Sequence, residues 1–452
     1  MNKKAFIERF KDFVGAKQLV NKNDTTLICV SGGSDSVVLC ELFNRSGFKF
    51  AIAHCNFQLR GSDSDEDAVF VKKIAEKYNV AFYIENFDTL EFKTQNKLSL
   101  EEAARKLRYI FFESIRSNFN YNKIATAHHL NDSIETLVFN LIKGTGIRGI
   151  TGIPAKNNFI VRPLLFATKE EIEKYAAENN IEFRTDGSNL SNEFHRNKIR
   201  NEIIPLFKKI NPSLELTMQK NINHFQEAFL IYDEQTKKKI FKLRRKVGKD
   251  IYLPIAALTQ LSAAATYLHE FLFPYGFNSD QILQIMNCFG STGKEFYSNA
   301  WRVIVDRKFL IVTEINNIKE SAILINSDCK SVEIGDNKLH LEYSNYKKDL
   351  HFNDSGKIAY FDADKIEFPL TIRRWQAGDY LYPLGLTKKR SDKPGKKKVS
   401  DILTDLKLNL LEKENTKVLL SGEKIIWLVG IRQDIRLNVT DKTSKLLKVK
   451  IE

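Results

Sequence analysis

The stretch TTLICVSGGSDSVVLCELF, Thr25 to Phe43, joins a β-branched apolar run to an apolar run of helical character through a turn of two glycines, three serines and one aspartate. This order predicts strand, tight turn, helix. Gly32 and Gly33 let the backbone come close to a ligand, and the helix that follows offers unpaired first-turn amides. Such a turn suits phosphate. Ser31, Ser34 and Ser36 add hydroxyl donors, and a phosphate-bound Mg²⁺ gives Asp35 a reason to stand there. No Gly-Lys-Ser/Thr follows, so the lysine of a Walker loop is absent. The same residues would also serve an ordinary βα turn in which Ser34 or Asp35 caps the helix.

Outward from this turn, TTLICV, FKFAIA, VAFYIE, KIATA and FIVRPLL read as strands separated by helical stretches, the pattern of a parallel α/β sheet. Ser99 with Glu102 and Thr168 with Glu171 mark helix starts. Phe6, Phe10, Phe13 and Val14 share one helical face, which predicts a docked amphipathic helix rather than a signal segment. Beyond Asn211 and Pro212 the β signal fades into helical sequence, and from AWRVIVDRKFLIVTE onward short strands and turns return, with one helix near VSDILTDLKLNLLEK. The domains expected are 1–211, 212–325 and 326–452. The fold class is a Rossmann-like parallel sheet, then a mainly helical domain, then a small β-rich one.

A chain of 452 residues has room for about three domains, and 43% hydrophobic with 28% charged residues is a globular composition. The net charge of +14 favours a polyanionic partner, nucleic acid first. No apolar run approaches the roughly 20 residues of a membrane span, so the cytoplasm is the default location. Five scattered cysteines form no CxxC pair, which argues against both a disulfide framework and a cysteine metal site.

SGGxDS after a first strand resembles the loop of the N-type ATP pyrophosphatases, or PP-loop enzymes, which split ATP into AMP and pyrophosphate. Further segments are similar to one family in order along nearly the whole chain. They are HCNFQLRGSDSDED, EEAARKLRY, ATAHHLNDSIETLVFNLIKGTGIRGITGI, VRPLLF, TDGSN, RNKIRNEIIP, IRRWQAGDYLYPLG and KKVSDILTDLK. The family is tRNA(Ile)-lysidine synthase. The resemblance implies a ligase that uses ATP and Mg²⁺ to adenylate carbon 2 of the wobble cytidine in an isoleucine tRNA with a CAU anticodon. Free L-lysine then displaces AMP to give lysidine. A homodimer is left open, and no membrane is involved. Amide-forming relatives would need no basic C-terminal module, and thiolases commonly carry cysteine pairs.

Individual residues can be weighed on chemistry. His128 and His129 end a strand, where ligands bind in open α/β sheets, with Asp132 and Glu135 on the first turn beyond. Asp132 with Glu135 also reads as a capping box. The resemblance implies that Asp132 holds Mg²⁺ or the lysine ammonium and that His129 contacts ATP or the intermediate. Either histidine could take the proton from lysine. Arg105 and Arg108 share a helix face, and Arg108, within the family pattern, is the one expected to meet the triphosphate. Arg148, in a glycine-rich segment, is expected to cover the nucleotide. Arg196 and Arg200 would share one side of a helix facing RNA or triphosphate. Phe57 stands where the family commonly has a second histidine, so His54 is given no catalytic duty. For the RNA, seven basic residues between Lys388 and Lys398, including Lys396, Lys397 and Lys398, lie near Arg373, Arg374, Trp375, Tyr380 and Tyr382. Cations beside aromatic faces suit phosphate and base.

Overall fold

The computed structural model describes residues 5–59, 61–184, 197–315, 321–335, 337–346, 356–383 and 395–452. Two compact units divide the chain after Glu234. No helix among the described residues is long and apolar enough to cross a membrane.

The first unit is built on a six-stranded sheet, ordered β3-β2-β1-β4-β6-β5. Its strands are β1 (Thr25–Cys29), β2 (Lys49–Asn56), β3 (Phe82–Asn86), β4 (Lys123–Ala125), β5 (Lys156–Asn157) and β6 (Ile160–Val161). All pairings are parallel except the β5–β6 hairpin. Successive side chains of a strand point to opposite faces. Ile28 and Ile52 accordingly join one core with Phe10, Val14 and Phe43, while Leu27, Ala51 and Ala53 join another with Phe111 and Phe112. Burial on both faces explains why these strands are apolar throughout.

Helices α1 (Phe6–Ala16), α2 (Ser34–Arg45), α3 (Ser62–Tyr78), α4 (Thr89–Asn96), α5 (Leu100–Asn118), α6 (Leu130–Lys143) and α7 (Lys169–Glu178) surround the sheet. The expected capping boxes at Ser99–Glu102 and Thr168–Glu171 are formed. The strand order reverses between β1 and β4, and the crevice at their carboxyl ends is where such sheets bind ligands.

The stretch LELTMQKNINHFQEAFLIYDEQTKKKIFKL forms one helix, Leu214–Leu243. Its first turns pack against α6 through Leu214 and Ile222, and its last join a core of the second unit through Ile240. Around that second core lies a five-stranded antiparallel sheet of Arg245–Val247, Asp250–Pro254, Phe309–Glu314, Trp301–Val305 and Lys294–Tyr297, with three helices between Ile255 and Asn287. Two strands before Ile255 and one at Lys294 were not expected from the sequence. Arg245–Val247 is fully exposed and cationic, so it carries no apolar alternation to read. The rest of the second unit holds a five-stranded and a four-stranded antiparallel sheet that share a core around the fully buried Trp427, and a two-stranded ribbon of Tyr380–Leu381 with Lys397–Lys398. The single helix expected near VSDILTDLKLNLLEK is two, Val399–Asp405 and Leu410–Asn415, broken by Lys407 in the left-handed conformation.

Candidate active site

The glycine turn lies between β1 and α2. Gly32 has φ +97°, a backbone that other residues rarely adopt, while Phe70 and Val71 stand at ordinary contact from its missing side chain. Gly33 is the N-cap of α2, and no side chain caps the first turn. Neither Ser34 nor Asp35 therefore does the capping job that the same residues could have done, and the first-turn amides stay open for an anion. Ser36 Oγ donates to Gly33 O at 2.9 Å and accepts from Ser31 N at 3.3 Å, closing the loop on itself. His54 holds it from the neighbouring strand through an Nδ1···Val30 O contact of 2.8 Å. This structural duty agrees with His54 having no catalytic one.

A cation meets this loop after all. Lys169, the first residue of α7, donates from Nζ to Ser34 Oγ at 2.8 Å and to the Asp35 carboxylate at 2.8 and 2.9 Å. Its backbone N–H donates to Asn131 Oδ1 at 2.9 Å, which fixes the helix start. The lysine missing from the loop sequence is thus supplied more than a hundred residues later.

At the end of β4, His129 caps α6. Its N–H donates to Asp132 Oδ2 at 2.9 Å, and its Nδ1 accepts from the Asp132 N–H at 3.4 Å. The capping box is His129 with Asp132, not Asp132 with Glu135 as the sequence suggested. Histidine lies outside the usual capping set, which hid it. With Nδ1 accepting, the ring proton belongs on Nε2, which lies 3.9 Å from Asp35 Oδ2. Glu135, 3% exposed, is held by Arg200 in two bonds, Nε to Oε1 at 2.6 Å and Nη2 to Oε2 at 2.8 Å. Arg200 also reaches Asp132 Oδ1 at 3.5 Å. It projects from a π-helical turn, Ile199–Ile203, an irregularity frequent at functional sites.

Two cavities adjoin here. One of about 320 Å³ is lined by Ser31, Asp35 and Ser36 on one side and by Cys29, Cys55, Phe57 and Phe112 on the other. The second, about 530 Å³, is lined by Glu101, Glu135, Gly152, Arg162 and Arg200 among others. Arg105, Arg108, Tyr109, His128 and Asp132 belong to both walls. A glycine turn with open first-turn amides, beside an apolar wall, thus opens into a chamber of mixed charge.

A PP-loop domain model matches residues 2–207, and a TilS substrate binding domain model matches residues 246–315. The chain is 38% identical over 445 residues to the tRNA(Ile)-lysidine synthase of Bacteroides thetaiotaomicron, covering 98% of this chain and 99% of that one. The chain belongs to the tRNA(Ile)-lysidine synthase family. The lysidine synthase of Parabacteroides distasonis is 37% identical over 98% of this chain and 99% of its own length. Among solved structures, a U34-tRNA thiolase from Methanococcus maripaludis is similar over 49% of this chain and 79% of its own, at 18% identity and a TM-score of 0.41.

Several residues expected at the site are brought together: Ser31, Gly32, Gly33, Ser34, Asp35, Ser36, Arg108, His129, Asp132, Glu135 and Arg200. Arg108 lies 5.3 Å from the centre of the Phe57 ring, which supports the guanidinium. Arg148 is placed elsewhere. Its guanidinium is 4.8 Å from the Phe229 ring centre and 3.6 Å from Asp233, and it lines neither cavity. Of the glycines near it, Gly152 serves packing, since a Cβ there would fall 2.3 Å from Ser133 Oγ, whereas Gly144 and Gly146 face open space. Arg196 lies outside the described residues.

In the second unit, Arg373 is tied to Asp379 at 2.7 and 2.9 Å, and Trp375 donates to Lys413 O at 2.6 Å. Arg373 and Arg374 line a cavity of about 300 Å³ with Lys417. Lys396 stands 3.4 Å from the Tyr380 ring centre, Lys397 pairs with Asp405, and Lys398 is exposed. Residues 384–394 of the basic loop lie outside the described residues.

Two residues were missed by sequence reasoning. Lys169 sat in plain view inside a capping box. Arg162, 7% exposed, donates from Nη1 to Pro154 O at 2.7 Å, and its buried Nε has no partner among the described residues. The signal for it was an arginine inside the otherwise apolar FIVRPLL.

Burial, opposed by Asp132 and assisted by Arg162, pushes His128 down to about 4. Its Nδ1 lies 2.9 Å from Thr126 Oγ1. A group whose folded value is depressed below about 6.5 stays neutral while its unfolded counterpart takes a proton. The stability it contributes is present above pH ~6.5 and is lost as pH falls toward 4. His128→Asn should therefore flatten the urea-measured stability between these pH values by roughly 3 kcal/mol. An unchanged slope would remove His128 from that role.

Proposed function

We propose that the two adjoining cavities carry the two halves of lysidine synthesis. The enzyme is a ligase that forms a carbon–nitrogen bond on tRNA at the expense of ATP. First the C2 oxygen of the wobble cytidine attacks the α-phosphorus of ATP, and the bond to pyrophosphate breaks. Then the lysine side-chain amine attacks C2, and AMP departs with that oxygen. The modified base pairs with adenine, which shifts codon reading from AUG to AUA.

The smaller cavity takes the nucleotide. Its triphosphate meets the first-turn amides of α2, the serine hydroxyls and Lys169, while the base lies toward Cys29, Cys55 and Phe112. Arg108 and Arg105 offer charge where the pentavalent phosphorus develops it. No group of three or more metal-ligating side chains exists among the described residues. That fits Mg²⁺ on a nucleotide, which takes one or two carboxylates and completes its shell with phosphate oxygens and water. Asp35 and Asp132 would hold it, and it would neutralise phosphate charge.

The larger cavity takes free lysine. A zwitterion needs a cation for its carboxylate and an anion for its ammonium, and this wall supplies Arg162 and Arg200 beside Asp132 and Glu135. The attacking amine must lose a proton. His128 is too weak a base, and His129 presents an N–H at Nε2. Burial raises Glu135 even against Arg200, which suits this carboxylate to accept that proton.

The single observation that carries this reading is the shared wall of Arg105, Arg108, His128 and Asp132 between a phosphate loop and a mixed-charge chamber. Mixing enzyme, Mg²⁺-ATP, labelled lysine and CAU-anticodon isoleucine tRNA should place label in the tRNA, and omission of ATP should prevent it. Equal labelling of methionine tRNA would sink the specificity, and no labelling would sink the reaction.

A further inference from the structure

The Lys169 ammonium carries three donors, and the glycine turn offers it three acceptors: Ser34 Oγ at 2.8 Å, Asp35 Oδ1 at 2.8 Å and Asp35 Oδ2 at 2.9 Å. Lys169 thus spans both oxygens of a carboxylate that would hold Mg²⁺. Glu173 Oε1 stands farther off, at 3.6 Å. His129 Nε2, 3.9 Å from Asp35 Oδ2, is the next basic group on that carboxylate.

Helix stability does not account for a lysine here. Lys169 is the first residue of α7, where the positive end of the helix dipole disfavours a cation, and a lysine four residues before a glutamate is the weaker order for such a pair. Docking of α7 does not require it either. Leu39 and Phe43 of α2 share a core with Ile172 and Ala176 of α7, and the start of α7 is fixed by its Thr168–Glu171 capping box and by Asn131. With 37% and 27% of their side chains exposed, Lys169 and Asp35 form a pair that water screens, so it adds little to stability. Its effect falls on what Asp35 can bind. Mg²⁺ approaches a carboxylate oxygen to roughly 2.1 Å, and an ammonium hydrogen-bonded to both oxygens repels it and competes for the same lone pairs. A triphosphate in the turn reverses this balance, because its oxygens accept from the ammonium and draw it off the carboxylate.

We propose that Lys169 is a positioning residue that closes Asp35 to free Mg²⁺ and opens it when nucleotide enters, so that the ion is admitted only with the phosphates it neutralises. This goes beyond the reading of the turn as the nucleotide site and rests on it. The test reads metal binding rather than turnover, with Mn²⁺ in place of Mg²⁺ and the unbound ion counted by electron paramagnetic resonance. Without nucleotide, Lys169→Met, which keeps the length of the stem and removes its charge, should bind Mn²⁺ about tenfold or more tightly than the parent. Lys169→Arg should stay parent-like, since a guanidinium also grips both carboxylate oxygens. Lys169→Met combined with Asp35→Ala should return to weak binding, which places the gained ion on Asp35. With an ATP analogue whose α- and β-phosphorus are joined by a methylene, affinity for Mn²⁺ should rise by a larger factor in the parent than in Lys169→Met. Nucleotide-free binding by Lys169→Met within about threefold of the parent, a gain that survives Asp35→Ala, or equal gains with the analogue would each overturn the inference. Failure of the parent to bind the analogue at all would instead overturn the nucleotide reading.

Discussion

Asp35→Ala should abolish incorporation of lysine into tRNA, lowering the rate of pyrophosphate release by about 10³-fold or more, while the protein folds and melts normally. Asp35 is on the first turn of α2, solvent-accessible, and engaged by Lys169 and, at longer range, by His129. Removing it takes away the carboxylate that would hold Mg²⁺ and leaves two basic groups facing the loop without it. Binding of tRNA should be unaffected, because Asp35 offers no positive charge to a phosphate backbone. Pyrophosphate release by the variant within tenfold of the parent would show that the loop carboxylate is not needed for adenylation.

Glu135→Gln should separate the two half-reactions. Pyrophosphate release in the presence of tRNA should stay within about threefold of the parent, whereas lysine transfer should fall by about 10²-fold or more, the usual scale for loss of a general base. Glutamine keeps the volume at this buried position but accepts no proton. Transfer by the variant should therefore rise about tenfold per pH unit toward the ordinary lysine range, as solvent supplies the free amine that the proposed base Glu135 would otherwise generate. In the parent the rise should end at lower pH. A parallel loss in both half-reactions, with no pH restoration, would make Glu135 merely the anchor for Arg200.

What was legible in the sequence was local. The strand-turn-helix around Gly32 and Gly33, the five parallel strands and the histidines ending β4 are encoded within short windows by apolar runs, glycine placement and capping residues. The bend of the turn could be read because its backbone requirement is written in its own residues, and φ +97° at Gly32 matches that bend. What could not be read was contributed from a distance. Lys169 reaches Ser34 and Asp35 across more than 130 positions, and no periodicity marks a side chain that acts after the chain has folded back. Arg162 looked like one polar interruption in an apolar strand. His129 was recognised as a ligand candidate but not as a cap, because a ring nitrogen took the place usually held by a hydroxyl or carboxylate oxygen. The edge strand Arg245–Val247 has no buried face and so leaves no alternation.

Helix α1 touches neither cavity, yet it is coupled to the loop. Arg9 donates to Glu171 Oε1 at 2.6 Å and Oε2 at 3.3 Å, and that same carboxylate accepts from Thr168 N at 3.0 Å to start α7, whose first residue is Lys169. An affinity handle or a proteolytic nick that pulls α1 off the sheet would thus register as a defect in ATP use, and would be mistaken for damage to the catalytic centre.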